Sequence, residues 1–252
     1  MAGHSKWANI KHRKAAQDNK RGKIYTKLRR KIVIAVQKSG PNPDDNASLR
    51  DAIAEARNAN MPKNTIDRAI KSASGDNNDA RLEEVRYEGY GTAGVAVLVE
   101  CLTDNFNRTV AEVRHTFAKY GGNMGTEGSV AYLFEKKGIL NFAPGTDEEK
   151  VMEIALEAGA EDIKVDQDDQ SIEVFTASEN FSAVLQAFTN NGFTPESAEI
   201  SMIASTTVEL NKEEAEKILR LSDILESLDD VQEVYTNAEI NAEVLSQLNE
   251  SE

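Results

Sequence analysis

The stretch 137–204 constrains the fold most, because it alternates strand and helix periods in an order few architectures accommodate. GILNF reads as a strand and is followed by a helix with Val151, Ile154, Ala155 and Ala158 on one face, ending at Gly159. DIKV and SIEVF form a hairpin across Asp166–Gln170, and a second helix carries Phe181, Val184, Leu185 and Phe188 before stopping at Asn190-Asn191-Gly192. A last strand near Glu199–Ala204 completes a βαββαβ series, the ferredoxin-like pattern. Two helices can cover one face of such a sheet, so the series is expected to be a domain of its own, residues 136–204.

Neither flank of that insertion is complete. Upstream, LEEVRYEGY and VAVLVECL read as strands across a glycine turn. A helix over 105–120 with Val110, Val113, Phe117 and Tyr120 inward then ends at Gly121-Gly122, and SVAYLFE returns as a strand. Downstream come STTVEL, a helix with Ile218, Leu221, Leu225 and Leu228, and a strand at VQEVY. Joined, the halves give a discontinuous α/β middle domain of residues 80–135 plus 205–252. Ahead of it, residues 21–38 predict an amphipathic helix with Ile24, Tyr25, Leu28, Ile32, Ala35 and Val36 on its apolar side. Gly40-Pro41-Asn42-Pro43 breaks it. A second helix with Leu49, Ala52, Ile53 and Ala56 starts at Ser48, and a third with Ile66, Ala69, Ile70 and Ala73 starts at Asn64 and closes at Gly75. The expected class is α+β with three domains: a basic arm and helical bundle over 1–79, and two ferredoxin-like α/β domains, one inserted in the other.

Charge is distributed very unevenly over this plan. The chain of 252 residues has 29 basic and 43 acidic side chains, a formal net of −14. The first forty residues hold 12 of the basic ones against the single acid Asp18, a net of +11, which leaves −14 − 11 = −25 for the remainder. Cations at this density repel one another unless a polyanion neutralises them. Lys20, Lys23, Lys27, Arg30 and Lys31 project on the arc opposite the apolar stripe, so one face of the first helix is expected to pack on protein and the other to meet phosphate. The candidate nucleic-acid-binding residues are Lys6, Trp7, Lys11, His12, Arg13, Lys14, Lys20, Arg21, Lys23, Tyr25, Lys27, Arg29, Arg30 and Lys31. Guanidinium groups clamp phosphates, and Trp7, His12 and Tyr25 offer rings on which bases stack. The cations are expected to be exposed, so neutralising Lys11, Arg13, Lys14, Arg29 and Arg30 should weaken binding without loss of thermal stability.

Other motifs carry less chemistry. Gly89-Tyr90-Gly91-Thr92-Ala93-Gly94 matches G-x-G-x-x-G, but a strand follows where a dinucleotide fingerprint needs a helix, so a tight hairpin turn is expected. Thr103-Asp104-Asn105-Phe106-Asn107-Arg108-Thr109 either caps a helix through Asp104 or Asn105, or forms a recognition loop of Asp104, Asn105, Asn107 and Arg108 with Arg114 nearby. Cys101 lies in an apolar run and reads as a buried small hydrophobe. The three histidines, the acidic tip Asp166–Asp169 and the carboxylate pairs Glu83-Glu84 and Glu213-Glu214 assemble neither a catalytic constellation nor a metal-ligand spacing. No enzyme activity, metal or small-molecule cofactor is therefore expected. The absence of an apolar span or a secretory leader, with one cysteine, leads to the expectation of a cytoplasmic protein without a membrane partner.

MAGHSKWANIKHRKAAQDNKRGKIYTKLRRKI, NMPKNTIDRAI, YEGYG, TDNFNRT and GSVAYLF, in that order, closely resemble the motifs of the YebC/PmpR family of probable transcriptional regulatory proteins, whose mitochondrial relatives are translational activators. Thr92-Ala93 stand where that family commonly has Pro-Gly after YEGYG. The resemblance implies a helical domain and two α/β domains, nucleic-acid binding and gene regulation without catalysis. The leading expectation is a DNA-binding transcriptional regulator acting through the basic arm and first helix, with RNA polymerase as a candidate partner. The alternative is a ribosome-associated translation factor or activator binding rRNA or tRNA; the same positive stretch serves both.

Overall fold

The structure, a computed structural model, describes residues 20–75, 81–166 and 170–249. The described residues divide into two compact units, one of Lys20–Ala131 together with Glu216–Thr236, the other of Tyr132–Ala215 with the residues from Asn237 onward.

The first unit opens with three helices, α1 (Lys20–Ser39), α2 (Ala47–Asn58) and α3 (Lys63–Ala73). Leu28, Ile32, Ala35 and Val36 of α1 meet Leu49, Ala52, Ile53, Ala56, Ile66, Ala69 and Ala73 in one buried cluster. Ile24, expected on this stripe, is exposed instead, because the core begins one turn later at Leu28. The caps also differ from expectation. Asn46, not Ser48, caps α2: its side chain accepts from the Leu49 N–H and donates to the carbonyls of Ala35 and Gly40, so one buried amide ties α2 to the end of α1. Asn64 lies inside α3, which starts behind Pro62 with no side-chain cap and ends at Ser74 rather than Gly75.

The unit continues with β1 (Glu83–Tyr90), β2 (Ala96–Thr103), α4 (Phe106–Lys119) and β3 (Asn123–Met124). The G-x-G-x-x-G segment is the β1–β2 turn, a short 3-10 stretch at Thr92–Gly94 with Ala93 at φ 59°. A Cβ on Gly91 would lie 2.5 Å from Ile218 Cδ1, so that glycine is there for close packing rather than for phosphate.

The second unit opens with β4 (Phe134–Phe142), which is one strand where the sequence suggested two. SVAYLFE is not a strand of its own: residues Ala131–Leu133 form a 3-10 turn, and Lys136-Lys137-Gly138 lies mid-strand instead of ending one. Gly138 is tolerated there because Phe181 and Thr176 fill the space its side chain would need, at 2.5 and 2.8 Å. Then follow α5 (Glu148–Glu157), β5 (Asp162–Val165), β6 (Ile172–Ala177), α6 (Phe181–Asn190) and β7 (Ser197–Ala204). The order β5-β6-β4-β7, antiparallel throughout, is the split βαβ arrangement. Leu140, Phe142, Val151, Ile154, Ile172, Val174, Val184 and Phe188 form the core beneath its helices.

Beyond β7 lie β8 (Val208–Glu209), α7 (Lys212–Glu226), β9 (Val231–Thr236), β10 (Ala238–Glu239) and α8 (Ala242–Asn249). STTVEL contributes only β8, which pairs with β10 in a two-stranded parallel sheet. The sheet of the first unit has the order β3-β1-β2-β9. Its β2–β9 register slips at Glu100/Cys101, and the irregularity leaves Leu102 N–H donating to the Asp230 carbonyl. The class is α+β with antiparallel main sheets.

Candidate nucleic-acid interface

The first unit gathers its charged side chains around one carboxylate. Asp230 precedes β9, and its side chain is 2% exposed. Arg30 of α1 donates to its Oδ1 and also to the Leu102 carbonyl at 2.5 Å. Arg108 of α4 reaches the same carboxylate three times, from Nε at 3.2 Å and from one terminal nitrogen at 3.0 and 2.7 Å. The hydroxyls of Thr109 and Thr103 donate to Oδ2 at 2.6 and 3.2 Å. Burial alone would raise this carboxyl, but the bonds from Thr109, Arg108 and Arg30 outweigh it and hold Asp230 below the ordinary carboxylate range. Two positive partners and a full set of donors are what make a buried carboxylate tolerable.

The same cluster explains its neighbours. Bonds to Asp230 and then Asp104 hold Arg108 more firmly protonated, and the Arg108 bond in turn lowers Asp104. Burial first, then the charges of Asp230 and Glu100, push the Cys101 thiol up to about 12, which suits a packed, unreactive residue. Burial likewise raises the Tyr87 phenol to about 12, with Cys101 and Asp230 adding to it.

The polar arc of α1 is therefore not a free phosphate-binding face. Lys23 donates to the Ser227 carbonyl at 2.8 Å and Lys27 to the Gln232 carbonyl at 3.2 Å. Lys31 pairs with Glu55 at 2.8 Å, and Lys38 with Glu84 at 2.6 Å. The expectation that Arg30 is exposed is corrected, because its side chain is only 18% exposed. Helical projection showed that the cations share a side; it could not show that Asp230 and the carbonyls of 227–232 wait there. Tyr25 is also committed, its hydroxyl donating to the Asn60 carbonyl at 2.7 Å. Arg29 points to solvent, and no described residue pairs with it. Lys6, Trp7, Lys11, His12, Arg13 and Lys14 lie outside the described residues, as do the side chains of Lys20 and Arg21.

The TDNFNRT segment proves to be a cap and an anchor. Asn105 accepts from the Arg108 N–H at 3.1 Å, Asp104 pairs with Arg108 at 2.7 Å, and Arg108 holds Asp230. Of the four residues expected in a recognition loop, only Asn107 faces solvent without a bond to a described residue. Sequence reasoning passed over Asp230, which sits in an unremarkable Leu-Asp-Asp-Val run, and Glu88. The Glu88 carboxylate accepts from the N–H groups of Gly128, Val130 and Ala131 at 2.6–2.7 Å and fixes that loop over the sheet. The strand EEVRYEGY gave no signal for it, since its acids at 83, 84 and 88 follow no regular alternation. Among the described residues no three His, Cys, Asp or Glu side chains converge as metal ligands, and no helix is long and apolar enough to cross a membrane.

Comparison with known proteins bears on what these features serve. Residues 5–76 match the model of the TACO1/YebC protein N-terminal domain, and residues 82–238 match the TACO1/YebC second and third domain. A "Probable transcriptional regulatory protein" of Serratia proteamaculans is 59% identical over 248 residues, covering 98% of this chain and 100% of that one. A protein of the same description from Hahella chejuensis is 57% identical, covering 98% and 99%. The crystal structure of a conserved hypothetical protein from Aquifex aeolicus superimposes with a TM-score of 0.77 at 44% identity, covering 90% of this chain and 94% of that one. The basic opening, YEGYG with its loop-holding glutamate, and TDNFNRT around Asp230 thus fall within matched domains, and the chain belongs to the TACO1/YebC family.

Proposed function

We propose that this protein is a non-enzymatic, cytoplasmic, DNA-binding regulator of transcription whose basic N-terminal segment grips the polymer. The observation that carries this reading is the concentration of 12 of 29 basic residues in the first forty of a chain with net charge −14. The description shared by its relatives supports it. The described cations of α1 are largely spent on the protein itself, which narrows the polymer-facing set to Lys6, Trp7, Lys11, His12, Arg13, Lys14, Lys20, Arg21 and Arg29. Lys23, Lys27, Arg30 and Lys31 instead hold α1 in the first unit. We take the domains as residues 1–79, 80–135 with 205–252, and 136–204. Backbone contact and shape readout carry the recognition in this reading.

A second reading, translation regulation on ribosomal RNA, draws on the exposed ring of Phe106, since unpaired bases are abundant in structured RNA. Affinity of the full chain for promoter duplexes and for rRNA fragments, measured at matched salt alongside ribosome co-sedimentation, tests both. Duplex binding with a steep salt dependence is expected. Ribosome retention with only sequence-independent duplex affinity would replace the first reading by the second.

A further inference from the structure

We propose that Phe106 is a stacking platform for an unpaired nucleobase, a role that deepens the nucleic-acid reading and rests on it. Phe106 is 52% exposed at the first position of α4, although an apolar ring gains by burial and its neighbours in the turn are ordered. Those neighbours are consumed within the protein: Asn105 caps the helix, Asp104 and Arg108 pair, and Thr103, Arg108 and Thr109 hold Asp230. The exposed side chains of the turn that make no hydrogen bond to a described residue are Phe106 and Asn107. The ring is backed by Tyr87, with centroids 6.2 Å apart and planes at 42°, which leaves it supported on one side only.

Charge selects a base rather than a phosphate. Arg30 and Arg108 are balanced by Asp104 and Asp230, so the turn has no net charge to spend on an anion. A π face needs none, and base stacking is sequence-tolerant for that reason. The Tyr87 contact favours the same role, because a ring held at its back has less conformational freedom to lose when a base arrives. The other exposed aromatics fit less well. The Tyr90 hydroxyl is bonded to the Ser129 carbonyl. Tyr132, at 72% exposure, stands among residues 132–215 and 237–252, whose 5 basic and 22 acidic side chains repel a polyanion.

The test compares the full chain with Phe106→Ala, Phe106→Leu and Phe106→Trp. The probes are a single-stranded oligodeoxynucleotide, an oligoribonucleotide of the same sequence and the corresponding DNA duplex, each at several salt concentrations. Phe106→Ala should weaken single-strand binding by roughly five- to 150-fold, the factor that about 1–3 kcal/mol of stacking represents at 1.4 kcal/mol per tenfold. Phe106→Leu should lose nearly as much, and duplex affinity and thermal midpoint should stay as they are. Because stacking releases no counterions, the slope of log affinity against log salt should not change. Phe106→Trp should keep the affinity and, in a Trp7→Phe background, show fluorescence quenched on binding. Whichever single strand shows the larger loss identifies the polymer. Phe106→Ala binding both single strands as tightly as the native chain, or losing duplex and single strand equally, overturns the proposal while leaving nucleic-acid binding intact. A native chain that binds none of the three probes overturns the underlying reading and this one with it.

Discussion

The two compact units use charge in opposite ways. Residues 15–131 with 216–236 hold 20 basic and 21 acidic side chains, a net of −1; residues 132–215 with 237–252 hold 5 and 22, a net of −17. In the first, cations are threaded through the fold: Arg30 and Arg108 meet at Asp230, and Lys23 and Lys27 hold carbonyls around it. In the second, exposed acids such as Glu148, Glu149, Glu153 and Glu157 of α5 surround an apolar core, with Glu173 and Asp166 buried beside it. The lesson is that charge density alone does not mark a ligand surface. In the first unit, much of it is internal structure.

The most severe way to break this contrast is Asp230→Ala. Removing the shared partner of two guanidiniums should destabilise the first unit by about 3–5 kcal/mol. The second unit, which Asp230 does not touch through any hydrogen bond or ion pair described above, should unfold as before. Denaturant melts followed by probes placed in each unit would check it; equal losses in both would mean that the hub is not specific to the first. Acid is a gentler probe of the same asymmetry. Asp230 and Glu88 both have carboxyls lowered in the folded state, Glu88 because its backbone bonds to Val130, Gly128 and Ala131 outweigh the effect of burial. A group lowered on folding contributes stability that is complete above its unfolded value and lost as pH falls through its folded one. The first unit should therefore begin to weaken near pH ~4 and continue to lose stability below it. A first unit whose stability is flat from pH 5 to 2 would contradict those two assignments.

Neighbouring arginines sharpen the comparison further. Arg30→Gln leaves Asp230 with Arg108 and should cost about 1–3 kcal/mol. Arg29→Gln should change stability by under about 0.5 kcal/mol, yet flatten the salt dependence of nucleic-acid binding by roughly 0.7–0.9 if it touches a phosphate. Thermal melts and salt titrations of the two variants separate a structural cation from a functional one. Smallest of all, Glu153→Gln on α5 should leave folding within about 0.5 kcal/mol, since it is an exposed acid on a helix face.

Much of the architecture was legible in the sequence because burial imposes period. The apolar stripes of α2, α3, α5 and α6 fell where spacing put them, as did the strands β1, β2, β5, β6 and β9. The β4 strand was misread because Lys136-Lys137-Gly138 looks like a turn, whereas the glycine is required by Phe181 packing across it. The candidate interface was less legible. Helical projection groups Lys23, Lys27, Arg30 and Lys31 correctly, but their partners at Ser227, Gln232, Asp230 and Glu55 are fixed by tertiary contacts, four-fifths of the chain away in the case of Asp230. Asn105 as a cap was readable from its place before Phe106; the outward turn of that ring was not, since apolar residues at helix starts usually pack inward.

The central claim is that the arm, not the charged body, grips the polymer. Its most direct test is the salt dependence of nucleic-acid affinity for the full chain with Lys6, Lys11, Arg13 and Lys14 all changed to Gln. The account predicts an unchanged melting temperature and a log–log slope shallower by roughly 3, the sum of four phosphate contacts at about 0.7–0.9 each. An identical slope and affinity would contradict it, and would place the contact on some other part of the chain.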